Sequence, residues 1–136
     1  MISNFKKIAI AAARGASAKK AEDVLLLDLK DSQQSLCDYL LILSANSQVH
    51  LKTLRDAVEE SLEKEGLVPI HQEGTKSGQW TALDYGGVLI HVFHHGARKF
   101  YSLERLWPDA KKVRWQGTGK KIKSVKRRMK KTRVNA

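Results

Sequence analysis

The sequence predicts an α/β fold: a single domain with a mixed, mostly five-stranded sheet flanked by helices. Three observations predict it. Short apolar runs bounded by polar residues recur as buried strands. A long amphipathic segment at 46–66 lies between two of them and makes a β-α-β unit. A Gly-Gly pair divides two further alternating runs as a hairpin, so parallel and antiparallel pairing both occur. The 136 residues, 42% hydrophobic, suit one domain with one core.

Residues 4–16 place Phe5, Ile8, Ala9, Ala12 and Ala16 at three- and four-residue steps, with lysines opposite and Gly15 near the end, which predicts an amphipathic helix. "VLLLDL" (24–29) and "DYLLILSA" (38–45) read as buried strands joined by the polar "KDSQQSLC". In "NSQVHLKTLRDAVEESLEKEG", Asn46 or Ser47 can cap a helix whose stripe is Leu51, Leu54, Val58 and Leu62. Gly66 stops it and Pro69 confirms the stop. "LVPIHQEG" (67–74) reads as a strand with Pro69 at an edge or a start. If it pairs with strand 38–45, the two are parallel with a right-handed crossover.

"QWTALDYGGVLIHVF" reads as a hairpin turning at Gly86-Gly87. That turn sets Tyr85 against Val88, Leu83 against Ile90 and Thr81 against Val92; Asp84 opposes Leu89, Ala82 opposes His91 and Trp80 opposes Phe93. One face, with Leu83, Tyr85, Val88, Ile90 and Val92, is a core face. The other carries Trp80, Asp84, Leu89, His91 and Phe93, with His91 diagonal to Trp80 and Asp84 at about 7–8 Å between backbones. "ARKFYSLERLW" then reads as a helix with Phe100, Leu103 and Trp107 on one side, ended by Pro108.

The net charge of +11 separates by position. Residues 111–136 hold twelve Lys or Arg and no acid, whereas residues 1–110 hold thirteen against fourteen acids. The expected organisation is a near-neutral domain over 1–110 and a basic, flexible tail over 111–136. One cysteine, Cys37, excludes an internal disulfide and a multi-cysteine metal site, and fits a reducing compartment. The apolar run "IAIAAA" near the start is too short for a signal or a membrane span, so the sequence reads as cytosolic.

Three of the five histidines, His91, His94 and His95, fall close together. A zinc site needs three or four ligands converging at about 2 Å, and only His91 is securely on a strand; His94 and His95 read as solvated loop residues. A nucleophilic site needs Ser or Cys beside His and an orienting acid. Asp84 and His91 can supply the last two, but no Gly-x-Ser-x-Gly elbow occurs and Cys37 lies elsewhere. "GTKSG" lacks the glycine spacing of a phosphate loop. No Asp-x-Asp, Asp-x-Glu or Glu-x-Asp is present to hold Mg²⁺. What remains is a face of Trp80, Asp84, His91 and Phe93 with Arg98, Tyr101 and Trp107 beyond it. Aromatics with arginine suit an interface core, and the same rings can equally fill the protein's own core.

"CDYLLILSANSQVHLKTLRDAVEESL", "EG" at 73–74, Trp80, "LDYGGVLIHVF" at 83–93 and Arg98 followed by "YSLERLW" resemble the ribosomal silencing factors, or Iojap-related proteins, over roughly residues 4–110. The resemblance implies a nucleotidyltransferase-like fold without catalytic residues, no cofactor and no metal. It implies docking on large-subunit ribosomal protein fourteen, which blocks subunit joining and represses translation under nutrient limitation, and homodimers when free. The family motif falls here on Trp80, Asp84, Tyr85, His91, Phe93, Arg98, Tyr101, Leu103, Glu104, Leu106 and Trp107. Trp80, Asp84, Tyr85, His91, Phe93, Arg98, Tyr101, Leu106 and Trp107 are the candidate partner-binding residues. The alternative is a nucleotidyltransferase-like or metal-dependent enzyme using His91 and Asp84.

The tail departs from the family, whose typical members end soon after the Leu-Trp pair. Its single-sign charge suggests contact with ribosomal RNA phosphates through Lys120, Lys121, Lys123, Lys126, Arg127, Arg128, Lys130, Lys131 and Arg133. Trp115 is a candidate to stack on a base.

Overall fold

The computed structural model describes residues 4–32 and 37–116. Helix α1, Phe5–Ala18, starts where the Asn4 side chain accepts from the backbone N–H groups of Lys6 and Lys7. Strands β1, Glu22–Asp28, and β2, Tyr39–Ala45, follow. Helix α2, Gln48–Glu63, is capped by the Ser47 hydroxyl, which accepts from the His50 N–H at 3.0 Å. It ends in a Schellman arrangement: Gly66 donates to the Glu63 carbonyl and Leu67 to that of Leu62, with Gly66 at φ 80°. Strands β3, His71–Gly74, β4, Trp80–Asp84, and β5, Val88–His94, complete the centre. Helix α3, His95–Tyr101, a 3₁₀ turn, Leu103–Leu106, and the short strand β6, Lys111–Lys112, follow.

The six strands run in the order β3-β4-β5-β2-β1-β6. Among the described residues only β2 and β5 are parallel neighbours, and every other strand pair is antiparallel. The sheet is thus mixed, with one strand more than expected. Each residue of β2 is buried, because this strand sits mid-sheet with side chains packed on both faces. Helices α1 and α2 cover one face, where Ile8, Ala12, Leu54, Val58 and Leu62 meet Leu83, Ile90 and Val92. On the other face Leu27, Leu40, Ile42 and Phe93 pack beneath Ala97, Leu103 and Trp107. Alanines and Gly15 let α1 approach α2 closely: a Cβ at Gly15 would lie 2.0 Å from Ser61 Oγ.

Three expectations change. The strand expected over 67–74 is confined to His71–Gly74 and does not pair with β2. It is the exposed edge strand, antiparallel to β4, while the parallel partner of β2 is β5. Pro69 cannot donate to a ladder, which delays the strand past it. The helix expected through Trp107 breaks at Ser102, which adopts φ 45°, ψ 48°, with its hydroxyl donating to the Lys99 carbonyl at 2.7 Å. Lastly, residues 111–116, grouped with the tail on charge, continue the fold. Lys111 and Lys112 pair with Asp28 and Leu27, Val113 donates to the Leu26 carbonyl, and Trp115 packs with the α1 side of the core.

Candidate functional site

The β4–β5 hairpin positions the site. Its register is Trp80 with Phe93, Thr81 with Val92, Ala82 with His91, Leu83 with Ile90 and Asp84 with Leu89, the pairing the Gly-Gly turn implies. Gly86, at φ 90°, needs glycine for its backbone conformation, and Gly87 lies against the Phe5 ring where a Cβ would clash. Leu83, Val88, Ile90 and Val92 point into the helix-covered core at 0% exposure. The opposite face holds a series of rings. Trp80 and His91 stack with centroids 5.8 Å apart, His91 and Phe93 at 5.9 Å, and Phe93 meets Tyr101 of α3 at 5.8 Å. Phe100 closes the series edge-on to Tyr101 at 5.2 Å.

Exposure rises outward from Phe93, which is 3% exposed and lies inside. Trp80 and His91 on one side of it are half-buried, and Tyr101 and Phe100 on the other are 57% and 81% exposed; Leu106, in the 3₁₀ turn, is 64% exposed. Buried rings therefore support exposed ones, as in an interface whose centre is apolar before a partner arrives. Trp107 is half-buried against Leu27 and Leu40. Phe100 belongs to this surface but was not among the sequence candidates: no periodicity distinguishes it from a residue packed on the sheet.

Three candidates hold the fold in place. Asp84 accepts from the Gly86 N–H at 2.8 Å and so braces the turn. Tyr85 is 8% exposed, and burial, then the charge of Glu59, pushes its hydroxyl up to about 12. Arg98 is a strut. Its guanidinium donates to the Ser44 hydroxyl at 2.8 Å and to the Asp23 carbonyl, and it pairs with Glu104 at 3.6 Å. A bulge in β1, with Asp23 at φ 46°, turns that carbonyl toward it.

The same geometry bears on acid–base chemistry. His91 Nδ1 accepts from the Trp80 indole N–H at 2.9 Å, so the partner of His91 is Trp80 and that of Asp84 is the turn. Burial lowers the His91 pKa to about 4, leaving it neutral near pH 7. Burial raises the Cys37 thiol to about 11, unfavourable for a thiolate. His94 caps α3 through the Gly96 N–H and stacks on exposed His95 at 4.4 Å. Among the described residues no three His, Cys, Asp or Glu side chains converge to hold a metal ion, and no helix is long and apolar enough to cross a membrane. The nine tail lysines and arginines from Lys120 to Arg133 lie outside the described residues.

The sequence profile described as "Ribosomal silencing factor during starvation" matches residues 2–136. The chain belongs to the ribosomal silencing factor family. It is 35% identical over 107 residues to Ribosomal silencing factor RsfS of Bacillus subtilis (strain 168), covering 79% of this chain and 90% of that protein. It is 29% identical over 102 residues to the chloroplastic protein Iojap of Zea mays, covering 75% of this chain and 44% of that protein. A crystal structure from Chromobacterium violaceum superposes with TM-score 0.72 at 27% identity, covering 86% of this chain and 97% of the other. One from Bacillus halodurans gives 0.68 at 31%, covering 80% and 98%. Within the ribosomal silencing factor motif, Leu103 and Phe93 thus serve packing, Asp84 and Arg98 brace local geometry, and Tyr101 and Leu106 face outward.

Proposed function

We propose that this protein binds the large ribosomal subunit and represses translation by keeping the small subunit away. Its contact is large-subunit ribosomal protein fourteen, met by the ring face: Tyr101, Leu106 and Phe100 at the surface, Trp80, His91 and Trp107 half-buried behind them. The observation that carries this reading is the continuity of exposed Tyr101 with buried Phe93, since an exposed apolar patch on a rigid support marks a docking surface. Family membership supports the choice of the ribosome. The mechanism is steric: a bound body fills space that the small subunit needs. No catalysis, nucleotide or metal takes part, and the effect scales with occupancy.

The tail adds contacts to ribosomal RNA phosphates. If six of its charges meet phosphates, log affinity falls with log salt at a slope of about −4 to −5. The protein acts in the cytoplasm, and free copies pair as homodimers. Sedimentation with purified subunits tests the reading. Cosedimentation with large subunits and a smaller fraction of joined ribosomes are expected. Equal binding to small subunits, or undiminished joining, overturns it.

A further inference from the structure

A groove of about 430 Å³ lies between α2 and the segment that follows it, remote in sequence from the ring face. Asp56, Glu60 and Glu63 line it from the helix; Leu67, Val68 and Pro69 line it from the connection to β3. One cation, Lys19, is among its lining residues. Glu60 and Glu63 pair with no cation among the described residues, and Val68 is 70% exposed. Tyr85, 8% exposed, has a hydroxyl with no hydrogen-bond partner and lies in the field of Glu59, another groove residue. Asp56 and Glu59 pair with Arg55, so the groove offers the carboxylates of Glu60 and Glu63 together with the uncovered apolar surface of Val68.

The described chain ends on α1, the helix that packs against α2. Arg14 Nε donates to the Trp115 carbonyl at 2.9 Å and Nη2 to that of Gln116 at 3.5 Å, which fastens the exit point to α1. The next residue, Gly15, abuts Ser61 of α2, and Ser61 is the chain neighbour of Glu60. Gly117, Thr118 and Gly119 separate Gln116 from the first tail lysine. Three residues reach about 10 Å when extended, roughly the diameter of one helix. Beyond them nine lysines and arginines fall between Lys120 and Arg133 with no acid. Ile122, Val125 and Met129 recur among them at three- and four-residue steps, so the segment carries apolar side chains as well as charge.

We propose that residues 120–133 dock in this groove of their own chain, and that a polyanion draws them out. The groove then serves as an internal competitor. In the free protein the carboxylates of α2 occupy the tail; against a dense array of phosphates, the tail exchanges one anionic partner for another. A tether this short gives a high effective concentration, so weak surface pairs suffice to hold the segment. The inference requires a polyanion but not a particular ribosomal contact.

Two measurements on the full-length protein test it. The first is zero-length carbodiimide cross-linking at about 50 mM salt, repeated at about 0.5 M where screening is strong. Links from tail lysines to Glu60 or Glu63 within the monomer, lost at the higher salt, are expected. Links scattered over carboxylates outside the groove, or confined to cross-linked dimers, overturn the proposal. The second is affinity for a single-stranded oligonucleotide of about twenty uridines, which measures tail availability without ribosomes. The Glu60→Gln, Glu63→Gln variant is expected to bind about threefold more tightly than the unaltered protein. Equal affinity overturns the proposal, and a failure to bind ribosomes leaves both readouts intact.

Discussion

The indole N–H of Trp80 donates to Nδ1 of His91 at 2.9 Å across the β4–β5 hairpin, with the two rings 20° from parallel. A neutral imidazole is required, since a proton on Nδ1 would set two donors against each other. Burial, the main cause, holds the His91 pKa near 4, below the ordinary 6.5. The unfolded chain therefore takes up the proton first on acidification. The stabilisation is full above about pH 6.5, declines between about 6.5 and 4, and is gone below that, a change on the order of 3 kcal/mol. Thermal denaturation across this window should show the fall, and His91→Phe should flatten it. A His91 ring titrating near 6.5 by NMR would contradict this account.

Arg98 should matter for stability more than for recognition. Arg98→Ala leaves the Asp23 carbonyl and the Ser44 hydroxyl without this donor and Glu104 without its cation. The expected loss is about 2–4 kcal/mol in urea unfolding. Arg98→Lys should recover only part of it, because an ammonium lacks the planar fork that reaches several acceptors.

Tyr101→Ala with Leu106→Ala should do the opposite. Both side chains are mostly exposed, so unfolding should shift by no more than about 1 kcal/mol. Large-subunit binding by cosedimentation should weaken by about tenfold or more. Unchanged binding would place the docking surface elsewhere.

Gly15→Ala should destabilise the protein despite alanine's better helix propensity. The added Cβ would meet Ser61 Oγ at 2.0 Å and Ser61 Cβ at 3.0 Å. Overpacking here costs about 1–3 kcal/mol, more than the gain of about 1 kcal/mol from propensity. Adding Ser61→Gly should recover most of the loss, and a double-mutant cycle in denaturant measures the coupling.

Lys20→Gly should stabilise. Lys20 sits at φ 67° just past α1, where Lys20 donates to the Ser17 carbonyl and Ala21 to that of Ala16. This is the arrangement that Gly66 makes after α2, imposed on a residue with a Cβ. A gain of about 0.5–1 kcal/mol in thermal or urea unfolding is expected, and Lys20→Val should cost at least as much.

Features that depend on neighbours a few residues apart are legible along the chain. The Ser47 cap, the Gly66 stop and the Leu51–Leu62 stripe specify α2, and the Gly-Gly turn with alternating side chains specifies the hairpin register down to Trp80 against Phe93. Which strands meet is settled in the folded chain alone. Choosing β5 rather than β3 beside β2, recruiting Lys111–Lys112 as a sixth strand and breaking the last helix at Ser102 all depend on contacts between distant segments. The same holds for the site. Sequence could place Trp80, His91 and Phe93 on one face, but not sink Phe93, expose Phe100 or give Arg98 to a bulge 75 residues away. Periodicity records which side of its own element a residue occupies; burial depends on what the rest of the chain lays over that side.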